Sequence, residues 1–277
     1  MFWRTQNGTE YLIRSSVTGL QKSLGAKTAE LQTVYERFTE RKAELQERVK
    51  SLKAAVQQDQ RLNRALRVGR TPKDVIAVLQ ALALAGLSKH FLTVGTNAVY
   101  AYESAAGVRV QADATATRDM DLLFDTRQRL QFATQLQRLD SSFLAVLRKA
   151  DKSYRVRTGQ RYTVVNQKGY EVDVIRRMAK DGDPHPMALS EHEDEIWPVQ
   201  VGSGEALIAG RRFDALVIGT DGSMARMHVP HPLDFVRLKK KLSKSASRDP
   251  LKKSKDGLQS EIVAQLITEY LPQLSLN

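Results

Sequence analysis

The 277-residue sequence contains no cysteine. Disulfides and thiolate-bound zinc are thereby excluded, and the absence fits a cytoplasmic setting. No apolar run approaches the ~18 residues that a membrane-crossing helix needs, so no membrane partner is expected. The opening stretch, MFWRTQNGTEYLIR, lacks the basic-then-apolar order of a secretory signal. Acidic residues are in deficit, 31 Asp and Glu against 43 Lys and Arg, which leaves a formal net charge of +12. That surplus favours polyanionic partners, nucleic acid or nucleotide before acidic protein. What is present otherwise is ordinary: 42% hydrophobic and 27% charged residues, enough to bury a core in one or two domains.

The chain is organised around Phe91 to Asp125, FLTVGTNAVYAYESAAGVRVQADATATRDMDLLFD. His90 to Val94 reads as a short buried strand. Gly95-Thr96 follows, and then Asn97 to Ala106 reads as a helix that Gly107 stops. Strand, Gly-Thr, helix is a geometry that aims backbone N–H groups at an anion. In Arg118-Asp119-Met120-Asp121-Leu122-Leu123-Phe124 the period of a strand is two. Asp119 and Asp121 therefore share one face while Met120, Leu122 and Phe124 share the other. Two carboxylates ~7 Å apart on one face repel unless a cation sits between them, which makes the pair a candidate metal site. A later strand, Tyr170 to Ile175, sets Val172 and Val174 one way and Glu171 and Asp173 the other.

The rest of the chain supplies the frame. Residues 10 to 25 read as a short strand, a turn and a second short element. From Leu31, apolar residues fall on a heptad: Leu31, Phe38, Leu45 and Leu52, with Tyr35, Val49 and Val56 four residues further on. Lys42 interrupts this seam, and Asp59 and Asn63 degrade it. One long helix over 26–66 is expected. Its favoured placement is against its own domain or folded back as a hairpin, with an intermolecular coiled coil as the alternative. Arg61, Arg64, Arg67 and Arg70 form a loose basic stripe, either solvated or in contact with nucleic acid. Thr71 as N-cap and Pro72 open an apolar helix to Leu87. Helical spacing covers 128–149, a hairpin arm 154–165, a polar loop 176–204, and a hairpin turns at 219–222. Amphipathic helices at 233–242 and 258–271 flank the basic run SKSASRDPLKKSKD. Its Lys252, Lys253 and Lys255 are expected outside the core as further phosphate contacts. The expected organisation is a strand pair with a helical arm over 1–70, a core over 71–230 and a helical part over 231–277, an α+β architecture.

Four blocks in order, VGTNAVYAYESAAGVR, ATATRDMDLLFD, NQKGYEVDVIRR and RDPLKKSKD, resemble a bacterial nucleotidyltransferase-like family of the polymerase-beta nucleotidyltransferase superfamily. Thr96 stands where Ser or Gly is usual in the superfamily. The gap from Gly95 to Asp119 is longer than most members show, which implies a β-excursion there and leaves Asp113 aside as a ligand. The resemblance implies a mixed-sheet core and transfer of a nucleoside monophosphate from a nucleoside triphosphate. Asp119 and Asp121 would hold a divalent ion, Mg²⁺ or Mn²⁺, and Asp173 would join them around a second ion and help to deprotonate the attacking hydroxyl. Gly95 and Thr96 would contact phosphates, with Lys239 as a further contact.

With +12 overall, RNA, including tRNA, is the favoured acceptor. A toxin or defence role, with an antitoxin or self-association through the long helix, follows from resemblance alone. The rival reading is a non-catalytic module that uses the same fold to bind nucleic acid or a partner. Intact Asp119, Asp121 and Asp173 argue against it, because unpaired acids on one patch cost stability unless used.

Overall fold

The computed structural model describes residues 1–16 and 19–274, so Val17 and Thr18, within the stretch 10 to 25 where a turn is expected, lie outside the described residues. The chain forms two compact units, residues 1–61 and 62–277.

The first unit opens with an antiparallel meander of β1 (Phe2–Gln6), β2 (Thr9–Ser15) and β3 (Gln21–Ala26). Asn7 and Gly8, at φ 49 and 77, make its first hairpin turn, which needs left-handed backbone at both positions. Helix α1 (Ala29–Ala65) then runs for 37 residues without a break. Thr28 Oγ1 accepts from the Leu31 N–H at 3.2 Å at its start, and the Trp3 and Tyr35 rings lie 5.6 Å apart. No residue of α1 is buried. This corrects the expected packing: the helix neither folds back nor buries its seam in its own domain. The cause is length. A meander of five- to seven-residue strands extends ~20 Å, whereas 37 helical residues extend ~55 Å, so the sheet can meet only the first turns.

The second unit begins with α2 (Lys73–Leu84), whose N-cap is Pro72 and not Thr71. Then come β4 (Phe91–Val94), α3 (Ala98–Ala106), α4 (Ala112–Thr115) and β5 (Asp119–Phe124). The excursion between α3 and β5 thus holds a short helix, and no strand. Helices α5 (Arg129–Leu139) and α6 (Phe143–Leu147) divide the expected 128–149 helix, because Asp140 adopts left-handed φ 46. Next are β6 (Arg155–Arg157), β7 (Gln160–Val165), β8 (Glu171–Arg177) and β9 (Val199–Val201). Helix α7 (Gly204–Ala209) precedes the hairpin β10 (Arg212–Ile218) and β11 (Met224–Pro230). Two helices close the unit, α8 (Pro232–Ser243) and α9 (Pro250–Glu269). The basic run is not a linker. Asp249 caps α9 by accepting from the Leu251 and Lys252 N–H groups, and PLKKSKD forms its first two turns.

The central sheet has the order β4-β5-β8-β7-β6, with β9 pairing on β8. Strands β5 and β8 are parallel and the other pairs along this order antiparallel, so the sheet is mixed. Met120, Leu122, Phe124, Val172 and Val174, all 0% exposed, line the face turned to the main core. There the rings of Phe91 and Phe143 lie 4.9 Å apart and those of Phe124 and Phe132 4.8 Å. The opposite face carries a smaller cluster, Leu92, Val94, Leu123, Leu207 and Ile208. Among the described residues no helix is long and apolar enough to cross a membrane.

Candidate active site

The carboxylates stand at the end of that smaller cluster. Strand alternation puts Asp119 and Asp121 on its face of β5, and register does the rest: Asp121 is opposite Asp173 on β8 and opposite Val94 on β4. Gly95 follows Val94 with left-handed φ +63, and a Cβ there would collide with Asp121 Oδ2. Gly95 and Thr96 form a single tight turn before α3. The Asn97 side chain secures the turn by donating from Nδ2 to the Asp119 carbonyl at 2.6 Å. Asp119, Asp121, Asp173, Gly95 and Thr96 are therefore brought to one place.

Burial and mutual repulsion dominate the electrostatics of the three acids. Burial pushes the Asp121 carboxyl up to about 7, with Asp119 and Asp173 adding to the shift and Lys239 and Lys252 opposing it. Asp173 is also raised, chiefly by burial, with its Thr163 hydrogen bond acting the other way. Two threonines steady the acids: Thr117 Oγ1 donates to Asp119 Oδ1, and Thr163 Oγ1 donates to Asp173 Oδ1 at 2.5 Å. In these positions no group of three His, Cys, Asp or Glu among the described residues is drawn tightly enough together to hold a metal ion. The donor chemistry nonetheless fits a hard divalent cation. The donors are all oxygen, and a carboxylate held near 7 by burial and like charges is one that a cation would stabilise.

Cations face the acids from α8 and α9. Lys239 is buried, its Nζ donating to Asp256 Oδ1 at 2.7 Å, and Arg248 Nε donates to Asp256 Oδ2 at 2.9 Å. Lys255 Nζ donates to the Ala116 carbonyl at 2.5 Å, just ahead of Asp119. Burial holds its ammonium below the ordinary lysine value, with Lys239 adding to the effect. Lys255 thus lies half-buried next to the carboxylate strand and not outside the core as expected, whereas Lys252 stays exposed on α9 within electrostatic reach of Asp121. Gln259 links α9 to the turn, Nε2 donating to Thr96 Oγ1 at 3.2 Å and to the Ala114 carbonyl at 2.6 Å. The buried Gln259 Oε1 and Asn97 Oδ1 have no protein partner, two acceptors left beside the turn. The basic stripe does not persist. Helix α1 ends at Ala65, Arg67 adopts φ 51, and Arg70 pairs with Glu103 at 3.0 Å. A cavity of about 590 Å³ between Phe124, Arg161 and Trp197 contains none of the groups of this site.

Sequence reasoning missed Asn97, Thr117, Thr163, Arg248, Asp256 and Gln259. The Asp249-Pro250 start signal of α9 could have pointed to Asp256 and Gln259 by bringing PLKKSKD into a helix. A family model described as nucleotidyltransferase matches residues 73–277. No curated protein and no solved structure matches the chain.

Proposed function

Because the chain belongs to this nucleotidyltransferase family, we propose that it moves a nucleoside monophosphate from a nucleoside triphosphate to an acceptor hydroxyl with the aid of a divalent cation. The observation that carries this reading is the register of Asp121 against Asp173 beside the Gly95 turn, with Lys239, Lys252 and Lys255 opposite. Asp119, Asp121 and Asp173 would hold Mg²⁺ or Mn²⁺, which when bound neutralises phosphate charge and stabilises the attacking and leaving oxygens.

The chain's own residues divide the remaining work. Gly95 lets the backbone approach the triphosphate, and Thr96, whose oxygen accepts from Gln259, keeps its own proton to donate to a phosphate oxygen. Lys239, Lys252 and Lys255 stabilise the triphosphate charge and the departing pyrophosphate. Asp173, with a raised proton affinity, accepts the proton of the acceptor hydroxyl as its oxygen bonds to the α-phosphorus.

The net charge of +12 supports RNA as the acceptor, tRNA included. The test is incubation of the protein with each labelled nucleoside triphosphate, Mg²⁺ and total RNA, resolved on a gel. Label transferred to RNA, and lost with a chelator, is the expected result. If every nucleotide leaves RNA unlabelled, RNA is not the acceptor. Growth arrest on expression, absent in Asp121→Asn, would extend the reading to a toxin.

A further inference from the structure

The apolar seam of α1 has no function in the proposed reaction, and its surroundings specify what could cover it. Leu45, Val49, Leu52 and Val56 are 47%, 50%, 56% and 54% exposed, and with Phe38 they fall within a narrow stripe at 3.6 residues per turn. The same geometry places Arg37, Arg41 and Arg48 along one edge and Lys42 and Lys53 along the other. Glu36, Glu40 and Glu47 fall on the opposite half of the helix. Glu44 lies outside Arg41 and reaches it at 3.7 Å, an exposed pair of small energetic weight.

We propose that Arg37 to Val56 of α1 is a docking stripe for an amphipathic helix with acidic flanks, carried by a different protein. Charge argues against a second copy as the occupant. In a parallel pair Arg48 would face Lys53 and Arg41 would face Gln46; in an antiparallel pair Arg41 and Arg48 would face each other. Both arrangements set like charges on an apolar seam, where flanking charges choose partner and orientation. A helix with Glu or Asp at its flanking positions instead meets cations on both edges, and an acid facing the seam would pair with Lys42.

Two synthetic four-heptad peptides test this against the full-length chain. Both carry Leu at the seam positions; one carries Glu at the flanks and the other Lys, and binding is read by fluorescence anisotropy. The Glu peptide should bind, with the Lys peptide at least about tenfold weaker. The double variant Leu45→Asp, Leu52→Asp should lose the Glu peptide without a change in melting temperature, since both positions are exposed. A second variant, Arg41→Glu with Arg48→Glu, should reverse the preference between the peptides. Equal binding of the Glu peptide to the Leu45→Asp, Leu52→Asp chain would mean general attraction to a basic protein and would overturn the proposal. So would failure of both peptides to bind. A doubled mass in light scattering that the same double variant returns to a single chain would assign the stripe to a second copy.

Discussion

Gly95 and Asp121 approach so closely that no side chain fits between them: a Cβ on Gly95 would fall on Asp121 Oδ2. The turn and the carboxylate are shaped around each other.

Gly95→Ala should therefore act twice. Left-handed φ with a Cβ costs about 1 kcal/mol, and displacement of Asp121 adds to it. A shift of the site by an ångström should cut transfer roughly a hundredfold. Melting curves and initial rates on the same preparation check both. A variant with full activity would separate Asp121 from the chemistry.

Asp121→Asn should lose about a thousandfold or more of transfer rate. Metal-free, it should melt higher than the wild type, because one of three mutually repelling acids is gone. The stabilisation that Mg²⁺ with nucleotide confers on the wild type should disappear. Unchanged stabilisation in the variant would remove Asp121 from the cation site.

The same variant isolates a pH effect. Folding raises Asp121 from 3.8 to about 7, so between those values the folded state holds a proton that the unfolded chain has shed. Metal-free stability from this group is therefore lost as pH rises through that window. His90, pushed down by burial from 6.5 to about 4, acts oppositely and costs stability as pH falls. The two slopes offset in the wild type. The advantage of Asp121→Asn over wild type should thus grow from about pH 4 to about 7 and then level off. Urea titrations across that range measure it, and a constant difference would refute the assignment.

Asp256 holds two cations in buried surroundings. Asp256→Ala should destabilise the protein by about 3–5 kcal/mol, since Lys239 is left buried and unpaired. Replacing both members, Lys239→Met with Asp256→Leu, should recover most of that loss. If Lys239 serves the triphosphate, the recovered protein should still show a KM for nucleotide raised about tenfold. A wild-type KM would make the pair purely structural.

The carboxylate face was legible because strand periodicity is short and strict: DMDLLF allows one assignment of Asp119 and Asp121 once Met120, Leu122 and Phe124 are core. The turn was legible because few residues besides glycine adopt φ +63. The cations were not. Lys239 meets Asp256 across 17 residues, and Lys255 meets Ala116 across 139, contacts that only the packing of α8 and α9 decides. Helix α1 was read correctly in extent and wrongly in placement, because a heptad records that a seam needs covering and not which molecule covers it.

The parallel pairing of β5 and β8 ties accuracy of folding to accuracy of chemistry. Along both strands acids alternate with fully buried apolar residues, so a slip of one position would drive Asp121 or Asp173 into hydrocarbon and turn Leu122 or Val174 to water. Such a misaligned chain would not persist as a stable but inert protein; it would be too unstable to accumulate. Proofreading of the site is thus delegated to the core. Any copy of this chain that survives as a folded protein carries Asp121 and Asp173 side by side.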